Sequence, residues 1–438
     1  MSHRQTSRPH VFSRLWSKAF SGDRRNGSAI RPARVRPRLE SLEDRVVPAV
    51  IDVTTLADGT GPGTLRSAIA QANTNDANGD TTNTINLTVS GTYNIGQLGA
   101  LSIFTNATAN QAGLSLTLQN TSGGNVAISG NNLSRVIDIN PNDITPANNV
   151  VLGAVTVDGV TIENGLAQPG DGATGSGGGI RDQGPVDLTL NNDLISNNSA
   201  TADGGGVAME NGASTKWKLN LNNTTVANNH AGDAGGGIDE DGTGVVNITN
   251  SVISANTTLN QGGGVWLDAI NGGTAALNVT NSFIAGNSAG MLAGGLGNAG
   301  NGAVSILNST VEGNSTVGFG GGFADQNNQG SLAVQNSLFL NNTAGTNGGG
   351  IQEGNVLTIT GSEIKGNSAG INGGMPIGTT GGHAPNAVMG SGGGLFVDGG
   401  TLTLTESTVA DNTATQNGGG IELEMVNASK ITNPVFPR

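Results

Sequence analysis

The stretch Leu277-Asn278-Val279-Thr280-Asn281-Ser282-Phe283-Ile284-Ala285-Gly286-Asn287 is one copy of a phrase that this chain repeats. It reads aliphatic, any, aliphatic, any, Asn, then an aliphatic and a second Asn. A shorter phrase, three glycines and an aliphatic or aromatic residue, alternates with it. That phrase stands at Gly177 to Ile180, Gly204 to Val207, Gly235 to Ile238, Gly262 to Val265, Gly320 to Phe323, Gly348 to Ile351, Gly392 to Leu395 and Gly418 to Ile421. A worn copy, Ala293-Gly294-Gly295-Leu296, fills the gap. From the first aliphatic of the long phrase to the residue closing the glycines is 19 residues, as in Leu188 to Val207, Leu219 to Ile238 and Val246 to Val265. The remaining part of each unit varies, 8 residues from Ile180 to Leu188 and 12 from Val207 to Leu219. Two corners of the unit are therefore fixed and one takes insertions. Self-similarity of this kind decides the architecture before any local reading does.

Within the units, Leu-x-Leu and Val-x-Ile alternate with period 2, and Gly and Asn clusters bound each run, which is the pattern of strands. Three short strands and three turns in about 27 residues describe one coil of a parallel β-helix, with neighbouring coils roughly 4.8 Å apart. One coil cannot bury its own inward face, so the coils stabilise one another. Tightly stacked turns leave little room for a Cβ, which explains the glycines. Asn198, Asn229, Asn256, Asn287, Asn314, Asn342, Asn367 and Asn412 hold one position in successive units. An amide has donors and an acceptor, so stacked Asn side chains can bond each other and the turn backbone. A ligand-binding role for either ladder is the alternative.

The composition is Gly-rich, with 73 glycines, no cysteine and 3% aromatic residues. Disorder would not preserve a strict spacing, so the glycines mark turns. Without cysteine there are no disulfides or thiolate metal sites. Residues 1–45 hold 11 of the 19 Lys and Arg, and the remainder carries 8 basic against 28 acidic groups, a net charge of −20. An acidic body repels a phosphate backbone, so no nucleic acid partner is expected. The head reads instead as an export segment, disordered over 1–49. No run approaches 18 apolar residues, so no transmembrane helix is expected.

Residues 50–150 read as an N-terminal cap and first coils, with a strand at Val50 to Val53. Gly63-Thr64-Leu65-Arg66-Ser67-Ala68-Ile69-Ala70-Gln71-Ala72-Asn73 is the one convincing helix, with Leu65, Ile69 and Ala72 on its apolar face. An open solenoid end needs a lid, and this helix supplies it. Further strand candidates are Thr84 to Leu87, Leu114 to Leu118, Val126 to Ser129, Val136 to Ile139 and Val155 to Ile162. Repeated coils fill 151–425. Residues 426–438 read as a C-terminal tail, leaving the last coil without its Leu-x-Leu strand.

Two resemblances add to this. Leu39-Glu40-Ser41-Leu42-Glu43-Asp44-Arg45 resembles the segment near the start of many planctomycete-type exported proteins. The helix sequence is similar to the opening cap of secreted right-handed β-helix proteins. The Gly-Gly-Gly-Ile and aliphatic-x-x-Asn repeats resemble those of chlamydial-type polymorphic outer membrane proteins. This resemblance covers about residues 50–425. It implies an all-β, right-handed parallel β-helix with an N-terminal capping helix. It also implies an extracellular, cell-surface location with outer-membrane association, and an adhesive role toward surface glycans or proteins. The family's Phe is mostly Ile or Val here, and no C-terminal barrel sequence follows Ile421.

The expected function is a non-catalytic extracellular or cell-surface scaffold, with a polysaccharide-active lyase or hydrolase as the alternative. No His pair has zinc spacing, and Trp217, Trp266 and Phe396 are the aromatic candidates for a sugar platform. Lys216-Trp217-Lys218 is the one basic cluster of the repeats. The enzyme reading requires a carboxylate pair, or a carboxylate with a base, converging in a groove along the axis. Leu357 to Leu395 spans 38 residues instead of 19, so a loop projects there. For metals, Asp76-Ala77-Asn78-Gly79-Asp80 has alternating oxygen donors without the rest of a Ca²⁺ loop. Glu210, Asp241 and Asp268 each lie three residues past a glycine turn in successive coils. Stacked like charges recruit a cation or raise their pKa, so these three are the candidate Ca²⁺ ligands.

Overall fold

A computed structural model describes residues 48–77, 82–104, 115–140, 153–170, 175–210, 217–268, 274–327, 329–370 and 390–435. The chain divides into units 1–45 and 46–438, and only the second contains described residues. The basic head up to residue 47, Asn78 to Asp80, Leu114, Lys216 and the inserted segment 371–389 lie outside the described residues.

The described residues between 48 and 435 form a right-handed parallel β-helix of about 10 turns. Every strand pair is parallel, and each sheet runs through the coils in sequence order. A representative coil contributes Lys218–Asn222 to a first sheet, Thr225–Ala227 to a second, His230–Ala231 to a third and Ile238–Asp241 to a fourth. Among the described residues these sheets hold 13, 11, 9 and 11 strands respectively. The coil thus has four strands, not three. The third is two residues long, Ser199–Ala200 in one coil and Thr257–Thr258 in another. Two residues show no alternation, which is why the sequence pattern hides them.

Each fixed corner has a physical cause. Between the first and second sheets the chain takes φ near +50° at Asn192, Asn223, Asn250, Asn281, Asn308 and Asn336, the first Asn of the phrase. Next comes a buried hydroxyl row: Ser251 N donates to Ser282 Oγ (3.0 Å), and Ser282 N to Ser309 Oγ (3.1 Å). At the second corner the left-handed residue is the one before the stacked Asn, at Asn197, Asn228 and Ala255. The stacked Asn itself bridges coils. Asn287 Nδ2 donates to Ile253 O (3.0 Å) and Asn314 Oδ1 (2.9 Å), while its Oδ1 accepts from Asn256 N and Asn256 Nδ2, both 3.0 Å.

Ala255 is exposed and sits at φ +54°, where an L-residue costs about 1–2 kcal/mol. Glycine holds the same place in the next two coils, Gly286 and Gly313. Ala255→Gly is expected to stabilise the protein by about 1 kcal/mol, read as a rise in melting temperature. An unchanged or lowered value contradicts this corner geometry.

The core is the inward row of each sheet, such as Leu219, Val246, Leu277, Val304 and Leu332 of the first, all within 1% of full burial. At the N-terminal end, helix α1 (Leu65–Ala77) packs Leu65, Ala68, Ile69 and Ala72 against that core. Arg66 pairs with Asp58 (2.9 Å) and donates to the carbonyls of Ile95, Gly99 and Ala100, pinning the helix to the first coils. At the other end, Ala428–Thr432 pairs along Thr401–Thr405 as a last strand of the first sheet. It escaped the sequence reading because Ala-Ser-Lys-Ile-Thr lacks aliphatic alternation, and most of it is exposed. The candidate Val155 to Ile162 is two strands, Gly153–Asp158 and Thr161–Glu163, divided by Gly159 at φ +70°.

Candidate acidic site on the fourth sheet

The fourth sheet opens where each glycine turn closes. Its side chains alternate: the closing aliphatic faces in, the next residue out, the second in, the third out. The acids that gather after the glycine turns therefore fall into separate rows with separate chemistry.

The inward row contains Asp182, Glu240, Asn298, Asp325 and Glu353, all fully buried. These residues cap the corner leading to the first sheet. Asp182 accepts from Gly184 N (2.9 Å), Glu240 from Gly244 N (3.1 Å), Asn298 from Gly300 N (3.1 Å) and Asp325 from Gly330 N (3.0 Å). Burial pushes Asp182, Glu240 and Glu353 well above the carboxylate range, and Asp325 beside Glu353 adds to the last. Each residue of this row spends a side-chain oxygen on a turn N–H, so the row is structural.

The outward row next to the aliphatics is also buried, because the glycine turn folds over it. A Cβ on Gly235 would lie 2.6 Å from Asp239 Cβ, and one on Gly262 2.5 Å from Trp266 Cβ. Partners in register along this row are Asp138, Arg181, Ala208, Asp239, Trp266 and Gly297. Arg181 grips Asp138 with Nε at 3.0 Å and Nη2 at 2.8 Å, and Arg135 adds a third bond at 3.0 Å. This buried cluster escaped sequence reading because Arg181 lies 43 residues from Asp138.

The third row carries Glu210, Asp241 and Asp268, and the register stacks them as expected. Glu210 leans toward the basic cluster, accepting from Gln183 Nε2 (3.2 Å) with Arg181 Nη1 at 3.9 Å. Asp241 and Asp268 face the other way. With Asp203, Asp233, Asp239 and Trp266 they line a cavity of about 160 Å³. Asp203 and Asp233 come from the corners just before the glycines. Burial raises Asp203 to about 6, and raises Asp241 to about 7 with help from Asp268. Asp268 is raised by burial and Asp233, and Asp239 is pushed well up by burial and then Asp203. Among the described residues, no three acidic or histidine side chains are arranged to hold a metal ion. The stacking of Glu210, Asp241 and Asp268 is thus present, while convergence of the three on one point is not. The sequence signal for Asp203 and Asp233 is an Asp just ahead of the glycine turn in two successive coils. It becomes readable once the turn is known to cover the sheet.

The other candidates are placed elsewhere. Trp217, Trp266 and Phe396 are at most 1% exposed, so none offers a sugar-stacking surface. His230 is exposed on the third sheet with Nδ1 2.9 Å from Thr257 Oγ1. Lys218 is exposed on the first sheet. Asp76 lies within helix α1.

One acid interrupts the hydroxyl row. Asp193 stands where later coils have Thr224 and Ser251; its Oδ1 accepts from Val160 N (2.8 Å). Burial raises it from 3.8 to about 8, with Asp158 adding to the rise. The folded state holds this proton and the unfolded state releases it near 3.8, so stability is full below pH 4 and falls as pH rises toward 8. Asp193→Asn removes the titration and keeps the acceptor. It is expected to stabilise the protein by about 2 kcal/mol at pH 9 and by little at pH 5. Thermal melts at the two pH values check this, and an equal shift at both contradicts it.

Comparison of the chain with family models, curated proteins and solved structures finds no match in any of the three.

Proposed function

We propose that the chain is a non-catalytic extracellular or cell-surface scaffold, structural or adhesive, whose contact surface is the solvent side of the first sheet. The observation that carries this is the uncharged polar row along that sheet. Thr189, Asn220, Asn247 and Asn278 follow one another in register. Their side chains are linked coil to coil at 3.3, 2.9 and 2.9 Å. Such a row holds amide and hydroxyl groups in fixed positions, so little entropy is lost when a hydrogen-bonding partner docks. Surface glycans and proteins are partners of that chemistry. The resemblance of residues 39–45 to planctomycete-type export segments supports a location outside the cytoplasm. The resemblance of the coils to chlamydial-type polymorphic outer membrane proteins supports outer-membrane association and adhesion. Among the described residues no helix is long and apolar enough to cross a membrane.

A glycan and surface-protein binding array tests this reading. A ligand whose binding falls at least tenfold in Asn247→Glu, which puts a charge in mid-row, supports it. Binding that ignores the substitution, or no ligand on the array, overturns it.

The hydrolase reading has one observation in its favour. Asp203 and Asp241, near 6 and 7, share a cavity, and glycoside hydrolysis uses one protonated and one ionised carboxyl group. The volume argues against it, because ligand pockets run from about 300 to 1,000 Å³. Release of reducing ends from a polysaccharide, abolished by Asp241→Asn, would establish it.

A further inference from the structure

Two acids of the inward row stand in neighbouring coils. The register that pairs Phe323 with Ile351 and Ala324 with Gln352 carries on to Asp325 and Glu353. It stacks the two residues at the strand spacing of roughly 5 Å. Both are fully buried. Three of their four carboxyl oxygens are tied to corner backbone. Asp325 Oδ1 accepts from Asn327 N (3.2 Å) and Oδ2 from Gly330 N (3.0 Å), while Glu353 Oε1 accepts from Asn355 N (3.2 Å). The fourth, Glu353 Oε2, is buried without a donor.

The surroundings decide where a proton must sit. Among the described strands of the fourth sheet the one basic residue is Arg181, held by Asp138 several coils away. Asn298 faces the pair from the coil below and Val397 from the coil above. The first and second sheets contribute Leu332, Leu357, Phe339 and Ile364 to the core of these coils. Asp325 is thus the charged group that faces Glu353. Two ionised carboxyl groups here would stand in an apolar core without a counter-ion. A proton on Glu353 Oε2 removes one of the charges and gives that oxygen a hydrogen to donate. The N–H groups bonded to both Asp325 oxygens favour the ionised form of Asp325. Burial, and then the neighbouring Asp325, push Glu353 well above the carboxylate range.

The corners held by this pair are also tied to each other. Asn355 Nδ2 donates to the carbonyls of Gln329 (2.9 Å) and Gly330 (2.8 Å). They lead into Ser331–Gln335 and Val356–Thr360, successive strands of the first sheet.

We propose that Glu353 donates a shared proton to Asp325, and that this hydrogen bond is a pH-released clasp between two successive coils. With the proton in place, both corners stay closed on the pair. When a corner opens, Glu353 reaches water and ionises near its ordinary value of 4.5. Opening therefore releases a proton at any pH between that value and the titration of the closed pair. The clasp holds fully below about pH 4 and loosens as pH rises through that window. It acts from inside the core and does not depend on what the first sheet binds.

Amide hydrogen exchange of the full chain, resolved at single amides between about pH 5 and 8, tests this. The reporters are Gly330 N and Asn355 N, which are bonded to the pair. Base-catalysed exchange alone quickens about tenfold per pH unit, and an opening that releases one proton adds a second factor of about ten. These two amides should therefore quicken about a hundredfold per pH unit. Leu338 N, bonded to Ser309 O in the second sheet, should quicken only about tenfold. Glu353→Gln keeps both hydrogen bonds, because its amide donates to Asp325 and accepts from Asn355 N, but it has no proton to release. It should return Gly330 and Asn355 to the tenfold slope, with melting curves verifying the fold. A tenfold slope at Gly330 and Asn355 in the unaltered protein overturns the clasp. So does a hundredfold slope that survives Glu353→Gln, which places the released proton elsewhere. A hundredfold slope shared by Leu338 also overturns it, because the opening is then global.

Discussion

Gly236→Ala is expected to destabilise the β-helix by about 3 kcal/mol or more, and to lower expression of folded protein. The added methyl would lie 2.5 Å from Gly263 O in the next coil and 2.5 Å from Thr257 O. Both are backbone atoms held in inter-coil hydrogen bonds, so neither can turn aside. Gly236 N itself donates to Gly262 O at 2.9 Å, which fixes the spacing. The comparison is Gly286→Ala, where φ is +61° but no atom lies within 4 Å of the new methyl. That substitution carries only the left-handed penalty, about 1 kcal/mol. Equal losses at the two positions, read from melting curves, would mean that the glycines serve turn conformation and not close stacking.

Asn287→Ala is expected to cost about 3 kcal/mol, and Asn278→Ala less than about 0.5 kcal/mol. Removing the Asn287 amide strips partners from Ile253 O, Asn314 Oδ1, Asn256 N and Asn256 Nδ2, all buried. Water cannot reach these groups, so their desolvation is not recovered. Asn278 is exposed, and its bond to Asn247 Oδ1 competes with water. The damage should also spread along the stack, because each Asn holds the next. A double substitution at Asn256 and Asn287 should therefore cost less than the sum of the singles, since the two share bonds.

These predictions rest on features that were legible in the sequence to different degrees. The 19-residue spacing contains the Asn ladder, the glycine turn and the aliphatic rows, because each depends on identical residues recurring in register. The left-handed positions were less visible. The chain accepts Asn, Gly, Ala255, Glu406 and Asp411 there, so no single letter marks them. The hydroxyl row of Ser251, Ser282 and Ser309 looked like ordinary turn composition. Its role depends on burial, which a turn residue does not announce. The acids after the glycines looked like one stripe. Alternation divides them into caps such as Glu240 and cavity walls such as Asp241, and only the sheet register separates the two. Asp203 and Asp233 enter the cavity because the glycine turn folds back over the sheet, a tertiary arrangement that no spacing encodes.

The buried charges also shape the response to pH. Asp203, Asp241 and Asp193 are each raised in the folded state. Each therefore contributes stability that fades as pH rises through about 6, 7 and 8 respectively.

The stacked amides are the most direct probe of the architecture. Side-chain amide hydrogen exchange on protein labelled at asparagine nitrogen reports them individually. Asn198, Asn229, Asn256, Asn287, Asn314, Asn342 and Asn367 each donate Nδ2 to a backbone carbonyl and to the next Asn in the stack. Their side-chain amides should exchange far more slowly than those of Asn220, Asn247 and Asn278. Uniformly fast exchange across all asparagine side chains would contradict the stacked ladder and the coil register built on it.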